Sequence, residues 1–131
     1  MVQSTAYAKH PQHKIEIDAE SVKFRVTLDG EVLAETRRGL NLREASYPAV
    51  VYIPREDVRM ERLTPVDHST HSTHCPFKGD ASYFCARKDS ATASTRPKIA
   101  WSYETPFEQM EAIRGHLAFY ADRVTLERLA D

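Results

Sequence analysis

Val22, Phe24, Val26 and Leu28 alternate with Lys23, Arg25 and Thr27, and Asp29-Gly30 follows at once. Strict period-two alternation describes a strand with one face buried and one face wet. An Asp-Gly step supplies the positive φ that a tight hairpin turn requires. Val32, Ala34 and Thr36 then continue the pattern on the return path. This chain is therefore committed to antiparallel β structure early. Ile15 and Ile17, alternating with Glu16 and Asp18, add a strand before it. By contrast, residues 1–13, with His10-Pro11-Gln12-His13, have no period and read as a flexible lead-in. Residues 14–131 are expected to form one domain, a length that can bury a real core.

Further along, Ala49–Ile53 reads as a strand closed by Pro54. Arg55-Glu56-Asp57 reads as a turn and Val58–Leu63 as another strand. Thr64–Thr73 is rich in Ser, Thr and His and reads as a loop. Ser82–Arg87 and Lys98–Tyr103 are strand candidates on either side of the polar loop Asp89–Pro97. One helix is marked near the C-terminal end. Thr105 can cap it, Pro106 suits its first turn, and Glu108 completes a capping box. Phe107, Met110 and Ile113 would share a face, and Gly115 can end it. Leu117–Tyr120 and Val124–Leu126 read as the last strands. The expected class is mainly β, with at least six strands and one short helix.

Charge excludes several functions. Lys and Arg total 18 against 19 Asp and Glu, with no basic stripe, so nucleic acid is not an expected partner. The longest apolar run, Ala49–Ile53, is far too short to span a bilayer, and no membrane association is expected. The polar start, Met1–Lys14, has no apolar signal core, so a cytoplasmic location is the default. A cytosol would keep Cys75 and Cys85 reduced.

Candidate chemistry concentrates in Thr73–Tyr83. Pro76 restricts Cys75 to extended geometry, and Gly79 suits a left-handed turn or a close backbone approach. Together they shape an elbow that could hold the Cys75 thiol and the Lys78 cation at one pocket edge. The competing reading is a plain turn with a buried Cys75 and a solvated Lys78. Lys78-Gly79 is no phosphate loop, because the earlier Gly and the following Ser or Thr are missing. His68, His71, His74, Cys75 and Cys85 are zinc-capable side chains. The three-residue spacing of the histidines suits a helix face, yet their segment reads as a loop, and there is no Cys-x-x-Cys pair, so no metal is expected. A Cys75 nucleophile would need a partner such as His71 or His116 to lower its pKa. Tyr47, Tyr52, Tyr83, Trp101, Tyr103 and Tyr120 offer apolar pocket walls with polar tips, or simply core packing. Glu44 is the first choice of carboxylate for Lys78, or else an exposed surface acid.

These blocks are familiar as a set. Leu42-Arg43-Glu44-Ala45, Val51–Val58 with Tyr52-Ile53-Pro54, Cys75-Pro76-Phe77-Lys78-Gly79, Ser82-Tyr83, Trp101-Ser102-Tyr103 with Pro106, and Ala118-Phe119-Tyr120 occur in the order seen in the bacterial domain-of-unknown-function 427 family. The chain resembles that family over about Val22–Val124. The resemblance implies a β-tent-like fold of two antiparallel sheets and no established activity. The family has also carried a nucleotidyltransferase-like label. This chain lacks the Gly-Ser and Asp-x-Asp pattern that would hold metals for phosphoryl transfer. Nor does it have the paired Cys-x-x-Cys motifs through which some other β-tent families bind zinc. The leading expectation is a small-molecule site with Tyr52, Tyr83 and Trp101 as walls and Glu44, Cys75 and Lys78 as polar groups, with no cofactor. The rival expectation is a non-catalytic interaction module acting through a homodimer surface, with Leu117–Ala121 as its interface strand.

Overall fold

The computed structural model describes residues 3–66, 73–87 and 97–129. His68, His71 and most of the Asp89–Pro97 loop lie outside these described residues. The described residues carry eleven strands: β1 (Ile15–Ala19), β2 (Lys23–Leu28), β3 (Glu31–Thr36), β4 (Leu40–Glu44), β5 (Val50–Tyr52), β6 (Leu63–Pro65), β7 (Thr73–Cys75), β8 (Gly79–Ala86), β9 (Lys98–Ser102), β10 (Leu117–Phe119) and β11 (Thr125–Leu129). Every strand pairing is antiparallel. The hairpin turns where expected, with Asp29 at φ 52° and Gly30 at φ 80°, and Leu28 opposite Glu31. No helix among the described residues is long and apolar enough to cross a membrane.

Three sheets form, in the orders β1-β4-β5, β10-β9-β8-β6 with β7 also on β8, and β11-β2-β3. An isolated bridge ties the first to the second: Ile53 N–H donates to Leu117 O at 2.7 Å, and Leu117 N–H donates to Ile53 O at 2.9 Å. Period two then sorts side chains onto two cores. Ile53, Ala100 and Leu117 join Phe24, Val26, Leu33 and Phe84 in one cluster. Their chain neighbours Tyr52, Trp101 and Ala118 turn to a second cluster, with Leu42, Ala81, Tyr103, Met110 and Ile113. Burying one large aliphatic such as Ile53 or Leu117 stabilises the fold by about 1.5–3 kcal/mol.

Three local expectations differ from the structure. Val58–Leu63 is not a strand: 3-10 turns occupy Arg55–Asp57 and Met60–Arg62, Val58 makes only an isolated bridge to Ala34, and strand pairing begins at Leu63. Local bonds, Asp57 N–H to Pro54 O and Arg62 N–H to Arg59 O, take up donors that a ladder would need. The C-terminal helix is a 3-10 segment, Glu108–Ile113, kinked at Met110, and no side chain caps it. Phe107 N–H donates to Lys78 O at 2.9 Å, so the start of the segment is held by the elbow rather than by Thr105. The three-residue spacing still buries Met110 and Ile113 on one face. Finally, residues 3–13 include a short helix, α1 (Ala6–Lys9), with Ser4 and Ala6 buried.

Candidate functional site

Cys75 pairs with Gly79 across the β7–β8 hairpin, so Pro76-Phe77-Lys78 is its whole loop. Gly79 has φ +118°, and a Cβ there would come within 3.3 Å of Pro106 Cα and Thr105 O. The elbow therefore needs glycine for both its backbone angle and its close approach to the 105–107 segment. With Lys78 O held by Phe107 N–H, the Lys78 side chain reaches the end of β4, where Glu44 sits. Ala45 follows at φ 48° and donates its N–H to Lys14 O at 2.8 Å, fixing that strand end.

Lys78 and Glu44 form a direct ion pair, with side chains only 12% and 16% exposed. The second Glu44 oxygen meets His13 Nε2 at 2.8 Å. The His13 ring stacks on Phe77 at 4.1 Å between centroids. Burial pulls the Glu44 carboxyl upward, but the hydrogen bonds from Lys78 and His13 outweigh it and hold the group below its ordinary range. Two more contacts bind the start of the chain to the loop. Ser4 Oγ donates to Pro76 O, and Tyr7 OH donates to Phe77 O at 2.7 Å. Burial, with smaller contributions from Cys75 and Glu44, pushes the Tyr7 phenol up to about 12.

Beside the ion pair lies a cavity of about 220 Å³. Its walls include Tyr52, Tyr83, Trp101, Tyr103 and Tyr120, its floor Leu42 and Val50, and its rim Tyr47 and Pro48. Tyr47 is 66% exposed, the one exposed large hydrophobic among the described residues. Trp101 Nε1–H donates to Tyr52 OH at 3.1 Å, and the two rings meet edge to face. Tyr120 packs on the other side of Trp101, with centroids 4.6 Å apart. Lys98 Nζ stands 4.2 Å from the Tyr83 centroid and Arg123 Cζ 4.6 Å from that of Tyr120. Burial raises the pKa of Tyr52 and Tyr103, so both phenols keep their protons at neutral pH.

Glu44, Tyr52, Lys78, Tyr83 and Trp101 thus meet at one cavity. Cys75 does not line it. Its half-buried side chain packs against the second core cluster. Cys85 is fully buried, with Sγ 3.6 Å from Thr64 O. Both cysteines are free thiols. His74 turns outward to Asp80, Nδ1 to Oδ1 at 2.8 Å, and His116 Nδ1 lies 3.0 Å from Arg114 O. Neither contacts Cys75 among the described residues. No group of three or more His, Cys, Asp or Glu side chains gathers there into a metal-ligating cluster.

The residue that sequence reasoning missed is His13. It lay in a stretch passed over for lack of period, and no local signal links it to Glu44, because β1–β4 pairing creates the contact. Along the chain, residues 16–129 match the family described as Domain of unknown function (DUF427). The chain is a member of the DUF427 family. Every cavity-lining residue of this DUF427 protein falls within the matched span, whereas Ser4, Tyr7 and His13 precede it. No curated protein matches the chain.

Proposed function

We propose that this domain binds a small organic molecule in the cavity beside the Cys75–Gly79 elbow. Glu44 and Lys78 are its polar anchors, and Tyr52, Tyr83 and Trp101 its walls. Cys75 serves the elbow from behind rather than touching the ligand. The carrying observation is a largely buried ion pair placed at the wall of an aromatic cavity. Such a pair adds little net stability over an apolar substitute, because desolvation offsets attraction. A binding role accounts for its position better than a purely structural one. The volume lies below the roughly 300 Å³ at which drug-sized pockets begin, which fits a small metabolite.

The bridge between Ile53 and Leu117, joining two of the three sheets, supports reading the domain as the two-sheet β-tent-like arrangement that the resemblance implies. The two free thiols suit a reducing cytoplasm. The homodimer reading has less behind it. Leu117, Ala118 and Phe119 are buried inside the chain, so a dimer through this strand would rest on its backbone edge rather than on exposed apolar side chains.

Thermal-shift screening of the full chain against a metabolite library tests the proposal. A compound at 100 times its Kd stabilises a protein by about 2.7 kcal/mol. The expected result is at least one compound whose shift is lost in a Trp101→Ala variant that still unfolds cooperatively. A broad library that stabilises neither protein would refute the binding role.

A further inference from the structure

We propose that the cavity takes a small planar carboxylate, its anionic head on Lys78 and Tyr103 and its flat body against Trp101. This deepens the binding role above and rests on it. The argument is a count of unspent hydrogen bonds. An ammonium has three donors, and among the described residues the polar partner of Lys78 is Glu44. Tyr103, 7% exposed, lines the cavity, and no hydrogen bond of its hydroxyl is described. Tyr52 OH accepts from Trp101 and donates to nothing described. The unspent capacity at the cavity is therefore mostly donor. On the acceptor side, each Glu44 oxygen already holds one partner, Lys78 or His13, which leaves about two of the carboxylate's roughly four acceptor sites.

Charge points the same way. Lys98 and Arg123 cover Tyr83 and Tyr120, so two of the cavity's rings already carry a cation. Lys78 and Glu44 offset each other at the wall, so it is Lys98 and Arg123 beside Tyr83 and Tyr120 that disfavour a ligand cation. An oxyanion instead gains charge-assisted hydrogen bonds from Lys78. The aromatic walls favour a flat, unsaturated body that can stack or meet ring edges.

Trp101 is the chain's single tryptophan, so intrinsic fluorescence reports directly from the cavity. The probes are benzoate and nicotinate, with benzylamine, benzyl alcohol and inorganic phosphate as comparators. Benzoate or nicotinate should change Trp101 emission saturably. Lys78→Met should weaken that binding by at least about tenfold, the loss of one charge-assisted bond. Tyr103→Phe, which leaves the ion pair alone, should weaken it by about threefold to tenfold. Binding of both carboxylates undiminished in both variants would overturn the proposal. Equal or tighter binding of benzylamine or benzyl alcohol would overturn the ligand class while leaving a small-molecule site in place. Phosphate binding without carboxylate binding would do the same. No saturable response to any probe would overturn the carboxylate proposal, and the metabolite screen would then decide separately whether the cavity binds anything.

Discussion

Replacing Glu44 with Met should be costlier than replacing Lys78 with Met. Glu44→Met strands a Lys78 ammonium that is 12% exposed and has no other polar partner described. Removing one member of a buried pair costs about 3–5 kcal/mol, whereas an exposed pair is worth about 0–1 kcal/mol. At this burial a loss of about 3 kcal/mol is expected. Lys78→Met leaves Glu44 its hydrogen bond to His13, so about 2 kcal/mol is expected there. The double variant strands no cation and should cost no more than the larger single one, giving a coupling of about 2–3 kcal/mol. Urea denaturation followed by Trp101 fluorescence measures all four proteins, provided the slope with denaturant stays constant. The pH dependence adds a second check. Glu44 has a lowered folded pKa, so its contribution is full above the ordinary 4.5 and fades as pH falls through the lowered value. Without Lys78, burial is opposed by His13 alone, so the lowering shrinks and the acid-dependent loss of stability due to Glu44 should be smaller. A coupling near zero, with unchanged acid behaviour, would refute the paired arrangement.

The remaining predictions concern the elbow, the thiols and the phenols. Gly79→Ala should cost about 2–3 kcal/mol, combining strain at φ +118° with a Cβ crowded by backbone at 3.3 Å. A change under about 0.5 kcal/mol in urea denaturation would contradict it. Iodoacetamide should label half-buried Cys75 in the native protein and fully buried Cys85 only after unfolding. Equal native labelling, read by mass spectrometry, would show that the β8 core opens readily. Raised phenol pKa values mean that stability is intact below the ordinary value of 10.0 and falls as pH climbs past it, towards about 12 for Tyr7. Ultraviolet titration should therefore show Tyr7, Tyr52 and Tyr103 ionising together with alkaline unfolding, and Tyr7→Phe should reduce that late phase by one phenol.

The β1–β3 pattern was readable because each strand carries its own alternation and Asp29-Gly30 its own turn chemistry. β4 was not read as a strand, although Leu40 and Leu42 alternate, because no turn signal framed it. The capping box of Thr105 and Glu108 misled for a different reason. A tertiary bond from Phe107 to the elbow overrides local helix chemistry, and no sequence window contains both partners. The same distinction governs the site. Lys78 and Glu44 could be paired by chemical reasoning, since one long cation on a rigid loop suits one nearby carboxylate. His13 and the exclusion of Cys75 from the cavity depend on register: which residue faces which across a ladder. Register is set by the folded sheet as a whole.

The attachment of residues 4–13 has a practical corollary for handling this protein. Ser4 is gripped by both ends of the Gln109 amide, its N–H donating to Oε1 and its carbonyl accepting from Nε2, each at 3.0 Å. Tyr7 and His13 then run under the loop to reach Phe77 and Glu44. The family match starts at residue 16. A fragment trimmed to the matched boundaries keeps every wall of the cavity but loses the imidazole that shares the Glu44 charge. In that fragment Lys78 becomes the sole described side-chain partner of Glu44 and has less freedom to turn toward a ligand. Affinity data from a trimmed chain would therefore describe a differently hydrogen-bonded receptor from that of residues 1–131.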